Sequence, residues 1–159
     1  MKQSSLAGLA GIVGGKLPTS DDKPSRHTLR NDHITIGFIG TGLRGRNHVN
    51  NILDHPKVQC VAICDIDPDA IERTKQIIES KGQKMPMVYQ EHEHSYLDML
   101  NNEKLDAVVI ATNWRWHTTM ALAAMEAGVY VGVEVSGAFS IDECWEWVRC
   151  HERTGTHLM

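Results

Sequence analysis

A glycine turn set between a β-rich run and a helix-forming segment constrains this chain more than any other feature. Ile34-Thr35-Ile36-Gly37-Phe38-Ile39 is rich in β-branched and aromatic residues, and Gly40-Thr41-Gly42-Leu43-Arg44-Gly45 follows without a break. Each glycine has a separate use in such a turn. Gly40 permits the tight reversal, Gly42 lets a pyrophosphate approach the backbone, and Gly45 lets the helix pack closely on the strand. The helix that opens there offers free N–H groups and the positive end of its dipole to phosphates. A G-x-G-x-x-G string alone is a weak signal; the strand before it and the helix after it give it meaning.

The rest of the chain repeats the same alternation. A helix over 43–53 stops before Pro56, and Val58-Gln59-Cys60-Val61-Ala62-Ile63-Cys64 reads as a second strand. Asp67 and Pro68 open a helix as cap and first-turn residue, and that helix runs to about Lys81, before Gly82. A short strand over 87–89, a short helix over 95–100 and an apolar strand over 107–111 follow. Then come a helix over 116–127 closed by Gly128, a strand over 129–133, and a helix over 141–153 closed by Gly155. Alternating strands and helices predict an α/β fold: a doubly wound parallel sheet in three αβα layers, with binding at the carboxyl ends of the strands.

Three further motifs fall at those ends. Asp65 ends the second strand about twenty residues past Gly45, where a carboxylate accepts hydrogen bonds from adenosine ribose hydroxyls and repels a 2′-phosphate. That favours NAD over NADP; the competing use, capping the next helix, suits Asp67 better. Trp114, Arg115, Trp116 and His117 lie between the fourth strand and its helix. Two tryptophans on an exposed loop offer flat surfaces at the binding edge, and His117 a donor or acceptor near the nicotinamide ribose; plain packing is the alternative. Glu134 and Val135 follow the fifth strand, so the Glu134 charge emerges beside the reactive end of the cofactor, unless it is simply solvated.

The totals exclude other classes. A net charge of −4 argues against a nucleic-acid surface. No run approaches the roughly 18 apolar residues of a membrane span. The cysteines Cys60, Cys64, Cys144 and Cys150 form no C-x-x-C pair, which favours buried or half-buried free thiols over a disulfide or a metal site. His92 and His94, between Glu91 and Glu93, lack partners at zinc-type spacing and read as a solvated loop, so no metal is expected. Residues 1–30 form a separate leader, and residues 31–159 the dinucleotide-binding domain. The small apolar run at 6–13 has the length of an export-signal core and looks like the latter part of a twin-arginine signal. With Lys2 as its only basic flank, it favours export, a disordered leader or a mis-chosen start being the alternatives.

The glycine turn with Arg44, Gly45 and His48, then Cys64-Asp65, Trp114 to His117, and Glu134-Val135 resemble the N-terminal Rossmann domain of the glucose–fructose oxidoreductase and inositol dehydrogenase superfamily. The tryptophan–histidine segment, and Val131-Gly132-Val133-Glu134-Val135-Ser136 followed by Glu143-Cys144-Trp145, are similar to glycoside hydrolase family 109, the NAD-dependent α-N-acetylgalactosaminidase-like enzymes. The resemblance implies NAD contacts at Leu43, Arg44, Asp65, Trp114, Arg115, Trp116, His117, Glu134 and Val135. Asn113 departs from the proline common at its position, which implies a looser loop. The implied chemistry is glycoside cleavage by transient oxidation at C3 of the sugar, loss of the C2 proton, elimination of the aglycone, addition of water at C1, and reduction. The implied ligand is a small carbohydrate; a homo-oligomer stays open as the assembly of the full-length protein.

The resemblance also places the catalytic base and the sugar contacts in a second, C-terminal domain, so catalytic residues are expected outside this chain and the chain alone is expected to be inactive. Thr156-His157-Leu158-Met159 reads as the start of a sixth strand, which suggests a truncated piece. Two alternatives stay open: a sugar or polyol dehydrogenase of the same superfamily, and a non-catalytic dinucleotide-binding module.

Overall fold

The computed structural model describes residues 32–159; the expected leader over residues 1–30, and the export signal expected within it, lie outside the described residues. Five strands, β1 (Ile34–Ile39), β2 (Val58–Cys64), β3 (Met87–Tyr89), β4 (Ala107–Ile110) and β5 (Tyr130–Val133), form one sheet in the order β3-β2-β1-β4-β5. Every pairing is parallel. Five helices connect and follow them: α1 (Leu43–Ile52), α2 (Pro68–Ser80), α3 (Ser95–Asn102), α4 (Trp114–Glu126) and α5 (Ile141–Thr154). The sheet order reverses between β1 and β4, so the crevice above those two strands is where a doubly wound sheet takes its ligand.

Strands β1 to β4 feed two cores because successive side chains alternate faces, and β5 adds to one of them. Ile36, Phe38, Cys60 and Ile63 pack with Val49 of α1 and with Ile71 and Ile78 of α2. Ile39, Ala62, Cys64, Val108, Ile110 and Val131 pack on the other face with residues of α3, α4 and α5. Phe38, Ile63 and Ile110 are wholly buried, each worth about 1.5–3 kcal/mol in transfer from water. The β1–β2 register slips by one residue: Ile36 pairs with Cys60 but Gly37 with Ala62, leaving Val61 without a partner on β1.

Local chemistry sets the helix ends. The Asp67 carboxylate accepts from Asp69 N at 2.9 Å and caps α2, with Pro68 in the first turn. Ser140 caps α5, accepting from Glu143 N at 3.1 Å, and Gly155 closes that helix in the left-handed region at φ +71°. Beyond Gly155 the chain turns back alongside β5: Val131 N donates to His157 O at 3.0 Å, and Met159 N to Val131 O at 2.8 Å. This is the strand-like pairing expected of Thr156 to Met159. Among the described residues, no helix is long and apolar enough to cross a membrane.

Candidate dinucleotide site

The glycine turn has the shape its sequence demands. Gly40 sits at φ +83°, and a Cβ there would lie 2.7 Å from the backbone of Ala111. A Cβ on Gly45 would stand 1.9 Å from the carbonyl oxygen of Gly40, which glycine alone avoids. Gly42 is different, with nothing within 4 Å of its would-be Cβ. It is also the N-cap of α1, without a side-chain cap or an acidic residue in the first turn. The turn therefore presents uncapped N–H groups to open space, which fits a dinucleotide pyrophosphate.

Asp65 faces this turn from the end of β2. Its Oδ2 accepts from Thr41 N at 2.5 Å and lies 3.2 Å from Thr41 Oγ1, while Oδ1 accepts from Asp67 N at 3.0 Å. Thr41 is fully buried, so one half-buried carboxylate fixes both the turn and the start of the α2 approach. Beside it opens a cavity of about 490 Å³ at the carboxyl edge. Of the residues singled out from sequence, Gly40, Gly42, Asp65, Arg115 and Trp116 line it; Leu43, Arg44, Gly45, Trp114, His117, Glu134 and Val135 do not.

The tryptophan segment is helix rather than loop. Asn113 accepts from Arg115 N at 3.1 Å and caps α4, so the helix begins at Trp114. The residue expected to loosen this loop instead starts the helix with one of the best capping side chains. Trp114 remains exposed and meets Phe139, their ring centroids 6.4 Å apart. Trp116 is half-buried against the core, edge-on to His94 at 5.5 Å and to Tyr96 at 6.4 Å. His117 is completely buried, with Nδ1 3.0 Å from Ser136 O and Nε2 3.1 Å from Thr112 O. It is thus not the open donor or acceptor that a loop position suggests.

Glu134 turns towards α1. Its Oε1 accepts from Arg44 Nε at 2.6 Å and lies 2.6 Å from His48 Nε2, and Oε2 accepts from Val135 N at 3.1 Å. The Arg44 guanidinium, then His48, hold the carboxyl down at about 2, so it is a carboxylate at any physiological pH. Val135 is 80% exposed. Cys64, at the cavity wall, is pushed up to about 12, first by burial and then by the Asp65, Glu91 and Asp98 charges, so it remains a thiol. Cys60, Cys64 and Cys150 are buried and Cys144 is exposed, all four free. The expectation of buried or half-buried thiols therefore fails at Cys144, which sits on the solvent side of α5. Among the described residues no cluster of three metal-ligating side chains occurs.

The profile of an oxidoreductase family with an NAD-binding Rossmann fold matches residues 34–159. The chain belongs to this family. A glycosyl hydrolase family 109 protein of Parabacteroides distasonis is 42% identical over 99% of the chain and 36% of its own length. An α-N-acetylgalactosaminidase of Tannerella forsythia is 48% identical over 79% of the chain and 27% of its own length. The chain spans about a third of the length of these curated relatives. Among solved structures, the WlbA dehydrogenase of Chromobacterium violaceum, in complex with NADH and UDP-GlcNAcA, superposes with a TM-score of 0.69. It is 24% identical, and the match covers 82% of this chain and 35% of that one. A scyllo-inositol dehydrogenase of Lactobacillus casei with bound NAD(H) and scyllo-inositol gives 0.68 at 20% identity, over 80% and 35% of the two chains. These two likenesses concern the fold.

NAD is the cofactor of this oxidoreductase family, and the uncapped helix start at Gly42 beside the Asp65 carboxylate fits it. The cavity has another wall that the sequence did not assign. Ile66, His92, Glu93, Thr112 and Asn113 all line it. His92 and Glu93 follow β3, and the rule that ligands bind beyond strand carboxyl ends was the available signal. Their adjacency to Asp65 depends on β3 pairing with β2, which no local pattern states.

Proposed function

We propose that this chain is the NAD-binding part of a glycosidase that acts on α-N-acetylgalactosaminide-like sugars. The observation that carries this reading is the 48% identity to the Tannerella α-N-acetylgalactosaminidase, over 79% of the chain. In this reading Gly40, Gly42 and Gly45 shape the turn, and the N–H groups after Gly42 hold the pyrophosphate, flanked by Leu43 and Arg44. Asp65 accepts hydrogen bonds from the adenosine ribose. Trp114, Val135 and Glu134 border the nicotinamide end, and Arg115 and Trp116 close the crevice. The bound cofactor supplies a reversible two-electron oxidation of the sugar, and the protein supplies position and field. We place the base that removes the C2 proton, and the sugar contacts, outside these 159 residues. The ligand is a small carbohydrate rather than nucleic acid, the assembly a homo-oligomer, and the location outside the cytoplasm, on the strength of the apolar run at 6–13.

The test supplies the protein with p-nitrophenyl α-N-acetylgalactosaminide and NAD⁺. Nitrophenol release without net accumulation of NADH is the expected outcome. Accumulation of NADH with an oxidised sugar and no released nitrophenol makes the protein a dehydrogenase. Tight NAD⁺ binding with neither product reduces it to a dinucleotide-binding module.

A further inference from the structure

Two loops flank the crevice beyond β4 and β5, and one imidazole joins them. His117 lies in the first turn of α4 with no exposed surface. Its Nδ1 is 3.0 Å from the carbonyl oxygen of Ser136, in the loop after β5. Its Nε2 is 3.1 Å from the carbonyl oxygen of Thr112, in the loop after β4. Thr112 itself lines the cavity, so a shift of its backbone is a shift of the cavity wall.

We propose that His117 is a positioning residue: its ring is a rigid strut that sets the gap between the β4 and β5 loops and thereby shapes the nicotinamide half of the crevice. It does so without touching the cofactor. Both ring nitrogens already face backbone carbonyls, and a ring with no exposed surface has no edge left for a ligand. The carbonyls are acceptors only, so the ring is the donor partner: one N–H in either neutral tautomer, two as imidazolium. An apolar ring of similar size fills the space but removes the donor that ties the carbonyls of Thr112 and Ser136 to one side chain, so the two loops lose the bond that holds them at a fixed spacing.

The placement makes the effect unequal on the two sides, because Thr112 lines the cavity that Asp65 also lines while Ser136 lies outside it. With the order β3-β2-β1-β4-β5, a dinucleotide lies across the reversal between β1 and β4. Adenosine then falls on the Asp65 side and nicotinamide on the side of β4 and β5. The Asp65 side is tied by its own bonds to Thr41 and Asp67, and both ring nitrogens of His117 face the β4 and β5 loops instead.

This inference rests on NAD binding, and the experiment separates the two. The unaltered protein is titrated by calorimetry with NAD⁺ and with ADP-ribose; failure to bind either removes the NAD reading itself. His117→Phe is then expected to weaken NAD⁺ binding about tenfold while leaving ADP-ribose within about twofold. Hydrogen exchange on the cofactor-free variant should be faster at residues 112–114 and 135–139. His117→Gln, whose amide keeps two N–H donors, should recover part of both effects, and it carries the comparison if the Phe variant does not fold. Equal loss of both ligands makes His117 ordinary core and overturns the proposal. Weaker NAD⁺ binding with unchanged loop exchange makes it a direct contact and also overturns it, as does unchanged NAD⁺ affinity.

Discussion

The two halves of the crevice are made by opposite means. On the β1–β2 side, polar groups satisfy one another: the Asp65 carboxylate serves Thr41 and Asp67, and Thr41 is wholly buried. On the β4–β5 side, the elements turn apolar groups outward, with Trp114 57%, Phe139 60% and Val135 80% exposed. One half is therefore formed before any ligand arrives, because its hydrogen bonds do not wait for one. The other half also has a fixed frame, at His117 and Glu134, but carries an apolar surface that gains free energy when it leaves water. The difference teaches that one sheet edge can carry a polar surface and an apolar one side by side, each on a frame held by its own hydrogen bonds.

The sharpest way to break that comparison is at the polar half. Gly42→Val places a branched side chain in space that is empty of protein, so the fold should survive while dinucleotide affinity falls by roughly a hundredfold. Calorimetry beside a thermal melt reads both. Full affinity in the variant would put the pyrophosphate elsewhere and dissolve the distinction between the halves.

Asp65→Ala should act on the same half through two routes. It removes the acceptor for Thr41 N, costing about 1–3 kcal/mol of stability, and it removes the charge that disfavours a 2′-phosphate. Urea unfolding checks the first, and the ratio of NAD⁺ to NADP⁺ affinity, expected to narrow, checks the second. A variant as stable as the parent would mean that the turn does not depend on this carboxylate.

The smallest effect belongs to the bridge that ties β5 to α1. Glu134 titrates at about 2 in the folded protein against an ordinary value of 4.5, its pKa depressed by Arg44 and His48. A depressed carboxyl contributes stability that is complete above the ordinary value and is lost as pH falls from about 4.5 towards 2. Glu134→Gln should therefore melt below the parent at pH 6, and the gap should close as pH falls to 2.5. A gap that stays constant over that range would show that the ion pair adds nothing to the fold.

Much of the architecture was legible because it is local. The Ile34 to Ile39 run with its glycines, the Val58 to Cys64 run, and Asp67-Pro68 each fall within an observed element boundary or one residue of it. The start of α4 was misplaced by two residues because two tryptophans suggested a loop, although Asn113 is itself a capping signal. The parts that sequence left out join distant positions. His117 meets Ser136 nineteen residues on, and Arg44 meets Glu134 ninety residues on. His92 and Glu93 reach the cavity only because β3 docks on β2. None of these pairs carries a periodicity or a spacing rule.

The unpaired Val61 has a meaning in terms of parity. A strand alternates its side chains, so Val58 and Cys60 share one face, and an unbroken count would send Ile63 and Asp65 to the other. The extra residue resets the count: Ile63 joins Cys60 on the α1–α2 face, and Asp65 follows it two positions later, emerging towards the glycine turn. Phase, rather than residue identity, thus decides which side of the sheet receives the carboxylate. Pairing Val61 with Gly37, with no residue left over, would leave the same letters in the same order but exchange the faces of every position from Ala62 onward. Asp65 would then be delivered to the opposite layer, where no pyrophosphate turn waits for it.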